Sequence, residues 1–242
     1  MCKVISIVNQ KGGCSKTTSA VNIGIGLANA GKKVVLIDAD AQGSLTASLG
    51  FQKPDELKVT LATIMAKTIN EEEIDLSKVI LHHEEGVDLV PGNIELSGLE
   101  VQLSNVLSRE LILKEFVDSL RDSYDYILID CAPSLGMMTI NALVAADEVI
   151  IPVQAAYLPV KGLQQLMKTI NMVKRRLNKK LQIDGILLAM VDYRTTFARN
   201  ISAELFAAYG ESVGIFENYI PSSIKAVEAS SAGISIYTNM IQ

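Results

Sequence analysis

The chain has 242 residues, 49% of them apolar, and its 22 basic and 27 acidic side chains leave a formal net charge of -5. That suits one large α/β domain or two small ones with a substantial core, and it argues against a globally basic nucleic-acid coat while leaving room for a local basic patch. Cys2, Cys14 and Cys131 lack metal-ligand spacing and read as reduced thiols of an intracellular protein. The opening apolar run, VISIV, is too short for a signal-peptide core, and no apolar run approaches the length that spans a bilayer. The expected location is the cytoplasm.

Taken in chain order, apolar β-branched runs predict strands at KVISIV (3–8), KVVLID (33–38), VDLVP (87–91), YILID (126–130), EVIIPV (148–153) and GILLAMV (185–191). Runs this apolar suit strands covered on both faces of a parallel sheet. Between them, KTTSAVNIGIGLANAG (16–31) predicts a helix ended by Gly31, and 163–177 and 198–210 predict two more. The stretch 52–85, polar and acidic around NEEEID, is expected to be surface helix and loop. ISIY (234–237) is expected to be a further strand. The alternation implies one α/β domain over 1–242, doubly wound, with a mostly parallel sheet and helices on both faces. There is no internal repeat, low-complexity segment or linker.

Ligands of open parallel sheets sit beyond the carboxyl ends of the strands, and three features fall there. The first is VNQKGGCSKTTSA (8–20), between the first strand and the first helix. Gly12 and Gly13 let backbone amides approach phosphate oxygens, and the helix behind them points its N-terminus at the anion. Lys16 would neutralise β- and γ-phosphates, and Thr17 would place a hydroxyl on Mg²⁺. The second is LIDADAQGS, where Asp38 and Asp40 are two residues apart and, in extended chain, on one side. Near a triphosphate, two such carboxylates serve a metal ion and an attacking water. The third is YILIDCAPSLG, whose Asp130 closes a buried strand and suits a water-mediated Mg²⁺ contact.

With NQKGG..KTT, DADAQGS, DCAPSLG, PVQAAYLPVKGL and VDYRTT in this order and spacing, the sequence resembles the ParA family of deviant Walker A ATPases from residue 1 to about residue 237. The resemblance implies a P-loop NTPase using ATP and Mg²⁺. It implies a homodimer that forms with ATP, binds double-stranded DNA without sequence preference, associates with the nucleoid and segregates plasmids or chromosomes. Turnover would be slow until a ParB-like protein stimulates it, and no membrane is involved. Nucleotide would be held by Lys11, Gly12, Gly13, Cys14, Ser15, Lys16, Thr17 and Thr18. Lys11 would be the signature lysine that reaches the partner's phosphates, Lys16 the phosphate-loop lysine, and Asp40 the group that orients the attacking water. Thr17, Asp38 and Asp130 would hold the metal shell. Arg194 in VDYRTT and Lys225 in IPSSIKAVEAS match DNA-binding positions of the family. A further basic group, Lys174, Arg175, Arg176, Lys179 and Lys180, is this sequence's own and reads as a solvated helix face.

Three departures stand out. Relatives usually have Val-Gly where this chain has Cys14-Ser15; if the glycine's position lies at positive φ, serine costs about 1–2 kcal/mol there. Ser222 stands where relatives are often basic, which thins the DNA footprint. Relatives continue past ISIY with a loop near the nucleotide base and a final helix, which this sequence is expected to lack. These departures keep a second reading open, a nucleotide- or DNA-binding module that does not hydrolyse ATP. A third is a MinD-like division regulator on a membrane, although SIYTNMIQ offers no basic amphipathic helix. An iron–sulfur relative would need cysteines placed to hold a cluster, and Cys131 reads instead as a small buried residue.

Overall fold

The computed structural model describes residues 1–155 and 160–239. In chain order the elements are β1 (Lys3–Ile7), α1 (Lys16–Asn29), β2 (Val34–Ala39), α2 (Ser44–Ser48), a 3₁₀ turn (Pro54–Glu56), α3 (Leu61–Ile69), α4 (Leu76–Val79), β3 (Leu81–His82), β4 (Asp88–Val90) and α5 (Glu95–Leu103). There follow α6 (Ile112–Leu120), β5 (Tyr126–Cys131), α7 (Met137–Ala145), β6 (Glu148–Gln154), α8 (Val160–Arg176), β7 (Gln182–Ala189), α9 (Thr196–Tyr209), α10 (Ile224–Ala232) and α11 (Ile236–Asn239). The strands form one sheet in the order β3-β4-β2-β5-β1-β6-β7. Every pair is parallel except β3 with β4, so the doubly wound, mostly parallel expectation is met.

Alternation along the strands sorts side chains onto two faces. Val35, Ile37, Ile127 and Ile129 face a large core built with α3, α5, α6, α7 and α8, which contribute Leu61, Leu99, Phe116, Leu143 and Leu166. Leu36 and Leu128 point the other way, into a smaller core with Val21 and Ile25 of α1 and Leu45 of α2. The ladder sets Asp130 of β5 opposite Ile7 of β1 on one side and Asp38 of β2 on the other. Three strand ends thus meet at one place on the carboxyl edge.

Local departures from the sequence reading have local causes. The stretch 52–85 is not mere surface. It contains α3, capped by the reciprocal Thr60 and Thr63 pair, and Leu61, Ala62, Ile64 and Met65 are buried. Four apolar residues at helical spacing outweigh the acidic flank. ISIY does not form a strand: the Ser235 hydroxyl accepts the Tyr237 amide at 3.2 Å and the Thr238 amide at 3.4 Å, turning the chain into α11. That last segment is strapped to the body. Glu85 accepts from the Ser235 amide at 2.8 Å, the Ser235 hydroxyl at 2.6 Å and the Thr238 hydroxyl, and Asn22 of α1 accepts the Ile236 amide at 2.9 Å. The PVQAAYLPVKGL motif runs across 156–159, outside the described residues. Among those described, no helix is long and apolar enough to cross a membrane.

Candidate nucleotide site

Between β1 and α1 the chain crosses the carboxyl edge as a loop. Its root is fixed by Asn9, which is buried, donates to the Pro152 carbonyl at 2.6 Å and accepts the Lys11 amide at 3.0 Å. Gly13 and Ser15 are both left-handed, φ 66° and 69°, with Cys14 between them. That alternation turns successive amides toward one concavity, an anion nest at a helix N-terminus. Ser15 is the N-cap of α1, yet its side chain makes no capping bond. Capping needs an extended backbone at that residue, so the left-handed turn keeps the serine from occupying the first amides of α1. Cys14 is buried, donates to the Lys11 carbonyl at 3.1 Å and has its thiol pKa raised by burial.

Lys16 is buried too, with Nζ 3.4 Å from the Lys11 carbonyl, while Lys11, Gly12 and Gly13 are exposed and Thr17 and Thr18 half-buried. The Thr17 hydroxyl donates to Asp130 Oδ2 at 2.6 Å. The other oxygen of Asp130, Oδ1, is buried without a hydrogen-bond partner. Burial, and next the charge of Asp38, push the Asp130 pKa up to about 8, against the pull of Thr17 and Lys16.

Asp38 is equally buried but fully engaged. Its Oδ2 accepts the Thr46 amide at 2.8 Å and the Thr46 hydroxyl at 2.7 Å, and its Oδ1 accepts the Asp40 amide at 3.3 Å. Burial raises its pKa to about 6. Gly92, just past β4, packs closely on this residue: a Cβ there would lie 2.4 Å from the Asp38 backbone carbonyl oxygen and 3.0 Å from its carboxyl carbon. β2 ends at Ala39, and Asp40 opens a turn closed by the Gly43 amide at 3.0 Å, with its Oδ1 accepting Gln42 N at 3.0 Å. The two aspartates expected on one side of an extended chain therefore do different things. Asp38 locks the start of α2, and Asp40 sits half-buried at the rim.

A buried carboxylate oxygen without a donor, beside a threonine hydroxyl, is a pair of oxygen ligands short of a cation. It fits Mg²⁺, which takes one or two protein oxygens and completes its octahedron with phosphate and water. Among the described residues no group of three or more His, Cys, Asp or Glu is placed to cage a metal. Sequence reasoning missed Asn9, Thr46 and Gly92. A buried asparagine ending an apolar strand was the one visible signal.

The two expected DNA contacts lie on neighbouring segments past β7, where the Val191 amide donates to the Ile220 carbonyl at 3.0 Å and the Ser222 amide to the Val191 carbonyl at 3.2 Å. Arg194 is exposed and forks onto Asp192, with Nε and Nη2 each 2.8 Å from a carboxylate oxygen. Lys225 is exposed in the first turn of α10.

An AAA domain family model matches residues 2–183. The sporulation initiation inhibitor protein Soj of Bacillus subtilis is 41% identical over 233 residues, 96% of this chain and 89% of that protein. The chromosome-partitioning ATPase Soj of Treponema pallidum is 40% identical over 236 residues, 98% of this chain and 89% of that one. Among solved structures, cobyrinic acid a,c-diamide synthase from Mycobacterium smegmatis, with bound ADP and magnesium, superposes with a TM-score of 0.86 at 35% identity, covering 96% of this chain and 93% of that one. With curated relatives this similar spanning nearly the whole of both sequences, the chain belongs to the ParA family of deviant Walker A partition ATPases.

Proposed function

We propose that this chain is an ATP-driven partition switch. A single domain over 1–242 binds ATP with Mg²⁺, pairs with a second copy when loaded, and holds DNA without sequence preference on the nucleoid. It turns over slowly until a ParB-like protein stimulates it. The observation that carries the reading is Asp130, whose buried Oδ1 has no donor while Oδ2 takes the Thr17 hydroxyl directly behind the phosphate loop.

Bound there, Mg²⁺ would offset triphosphate charge and polarise the transferring phosphoryl group. The rest is the chain's own work. The amides of Gly12, Gly13, Cys14 and Ser15, with the first turn of α1 through Thr18, cradle phosphate oxygens. Lys16 offsets their charge. Thr17 and Asp130 would hold the cation, the threonine through its hydroxyl oxygen and the aspartate through its carboxylate. Asp38 keeps the turn after β2 in register, so that Asp40 can orient the attacking water. Lys11, exposed near the loop tip, offers its ammonium to the phosphates of a facing subunit. Chemistry of this kind rests on position and charge more than on covalent help.

Calorimetry with a non-hydrolysable ATP analogue tests this. Binding is expected to require Mg²⁺ and to weaken at least about tenfold in Lys16→Ala, about 1.4 kcal/mol. If neither the wild-type chain nor Ser15→Gly binds in a Mg²⁺-dependent way, the switch reading fails. Left-handed Ser15 favours one other reading, a binding module without hydrolysis. Turnover that Asp40→Ala abolishes would exclude it.

A further inference from the structure

The cations of this chain are unevenly employed. Arg194 is engaged by Asp192, Arg121 by Asp118 and Asp147, and Lys3 by Glu148. Lys168, Lys174, Arg175, Arg176, Lys179 and Lys180 are all exposed, and none makes an ion pair with a carboxylate among the described residues. No acidic residue occurs between Glu148 and Asp184. In a chain of net charge -5 this is a marked local reversal.

The fold makes a surface of it. Leu163, Leu166, Ile170 and Val173 bury the inner side of α8, which leaves Lys168 and the final turn outward. Asn178 then anchors the chain by donating to the carbonyls of Leu143 at 3.1 Å, Val144 at 3.1 Å and Ala146 at 2.7 Å, at the end of α7. Lys179 and Lys180 therefore ride on a fixed turn. That turn rims a cavity of about 820 Å³ whose other wall carries Lys3, Lys114 and Arg121 together with Asp118 and Asp147. All of this lies at the amino ends of β1, β6 and β7, the edge opposite the phosphate loop.

We propose that this face, the outer side of α8 from Lys168 on together with the turn through Lys180, is a contact surface for the phosphate backbone of duplex DNA. The proposal rests on the partition reading above and says where such a switch would hold DNA. Favourable interaction with the α8 carbonyl end accounts for Lys174, Arg175 and Arg176. It does not account for Lys168, Lys179 and Lys180. From Lys168 to Arg176 the helix rises about 12 Å, a span of three to four phosphates at about 3.4 Å each along one strand. Binding without sequence preference needs such a row of charge and no base-reading groups. With nucleotide and a second copy at the carboxyl edge, the amino edge stays open for DNA.

The test is fluorescence anisotropy of a random-sequence duplex with the full chain, ATP and Mg²⁺, across a KCl series. The paired variants Lys179→Gln/Lys180→Gln and Arg175→Gln/Arg176→Gln should each reduce the slope of log affinity against log salt by about 2, since each neutralised phosphate contributes about 0.9. Lys179→Arg/Lys180→Arg should keep the wild-type slope. The melting curve of the Lys179→Gln/Lys180→Gln pair should not move, because those side chains are exposed, while the Arg175→Gln/Arg176→Gln pair should melt slightly lower for loss of its interaction with the α8 carbonyl end. A wild-type slope in both glutamine pairs overturns this surface and leaves the DNA reading standing. No ATP-dependent DNA binding by the wild-type chain overturns both.

Discussion

Ser15 holds a backbone conformation that glycine adopts without cost, at φ 69°. The strain is about 1–2 kcal/mol, and part of any relief in Ser15→Gly returns as unfolded-state entropy. The expected net gain is about 0.5–1 kcal/mol, seen as a higher urea midpoint. A lower midpoint would mean that the serine side chain stabilises the loop by a contact of its own. Asp130 gives the opposite kind of signal. Its pKa rises from 3.8 to about 8 on burial beside Asp38, so the folded chain binds more protons than the unfolded one. Stability without nucleotide should then fall as pH rises from about 4 through about 8. Asp130→Asn should flatten that slope and gain about 1–3 kcal/mol at pH 8, with little difference at pH 4. An unchanged pH profile would sink the argument. At this scale the order of glycines, Lys16, Thr17 and Asp130 was legible because each sits in a fixed place after its own strand. The Asp38–Thr46 bond was not, because the turn after Ala39 redirects the chain before the threonine arrives.

The segment from Gly233 to Thr238 is strapped to the body by polar bonds. Glu85, from the turn before β4, takes three donors from it, and Asn22 of α1 takes a fourth. Glu85→Ala leaves those donors to water and should cost about 1–3 kcal/mol. Hydrogen exchange should show the effect confined to the amides of Ser235 to Thr238. Protection there equal to wild type would mean that packing of Ile236 and Tyr237 holds the segment alone. This strap joins residues about 150 apart, and no local pattern announces it. The strands with continuous apolar runs were legible to within a residue at each end except β7, which starts three residues before GILLAMV and ends two residues short of it, at Ala189. β3, two residues long and antiparallel at the edge, carries too little pattern to be seen. α3 was obscured because its acidic neighbours dominate the composition of 52–85 while its apolar face is only one helix side wide.

For the whole molecule, the proposed reading puts nucleotide and a second copy at the carboxyl edge of the sheet and DNA at the amino edge. Asp40→Ala, able to load ATP but not to turn it over, should accumulate as a dimer by light scattering in ATP, while Lys16→Ala stays a monomer. A monomer in both would remove the pairing step. Doubly wound architecture was readable from alternation alone, but the position of β1 between β5 and β6 was not, since it depends on contacts far apart in sequence. That position has a consequence for biosynthesis. β1 leaves the ribosome first, yet its two neighbours end at Cys131 and Gln154. At about 5–20 residues per second, the strand that carries the phosphate loop waits roughly 8–30 s for its flanks. Nucleotide therefore cannot template the early steps of folding. It meets a finished pocket only once more than half of the chain has been made, and until then VISIV is an unpaired apolar strand that depends on prompt synthesis, or on a chaperone, to stay out of aggregates.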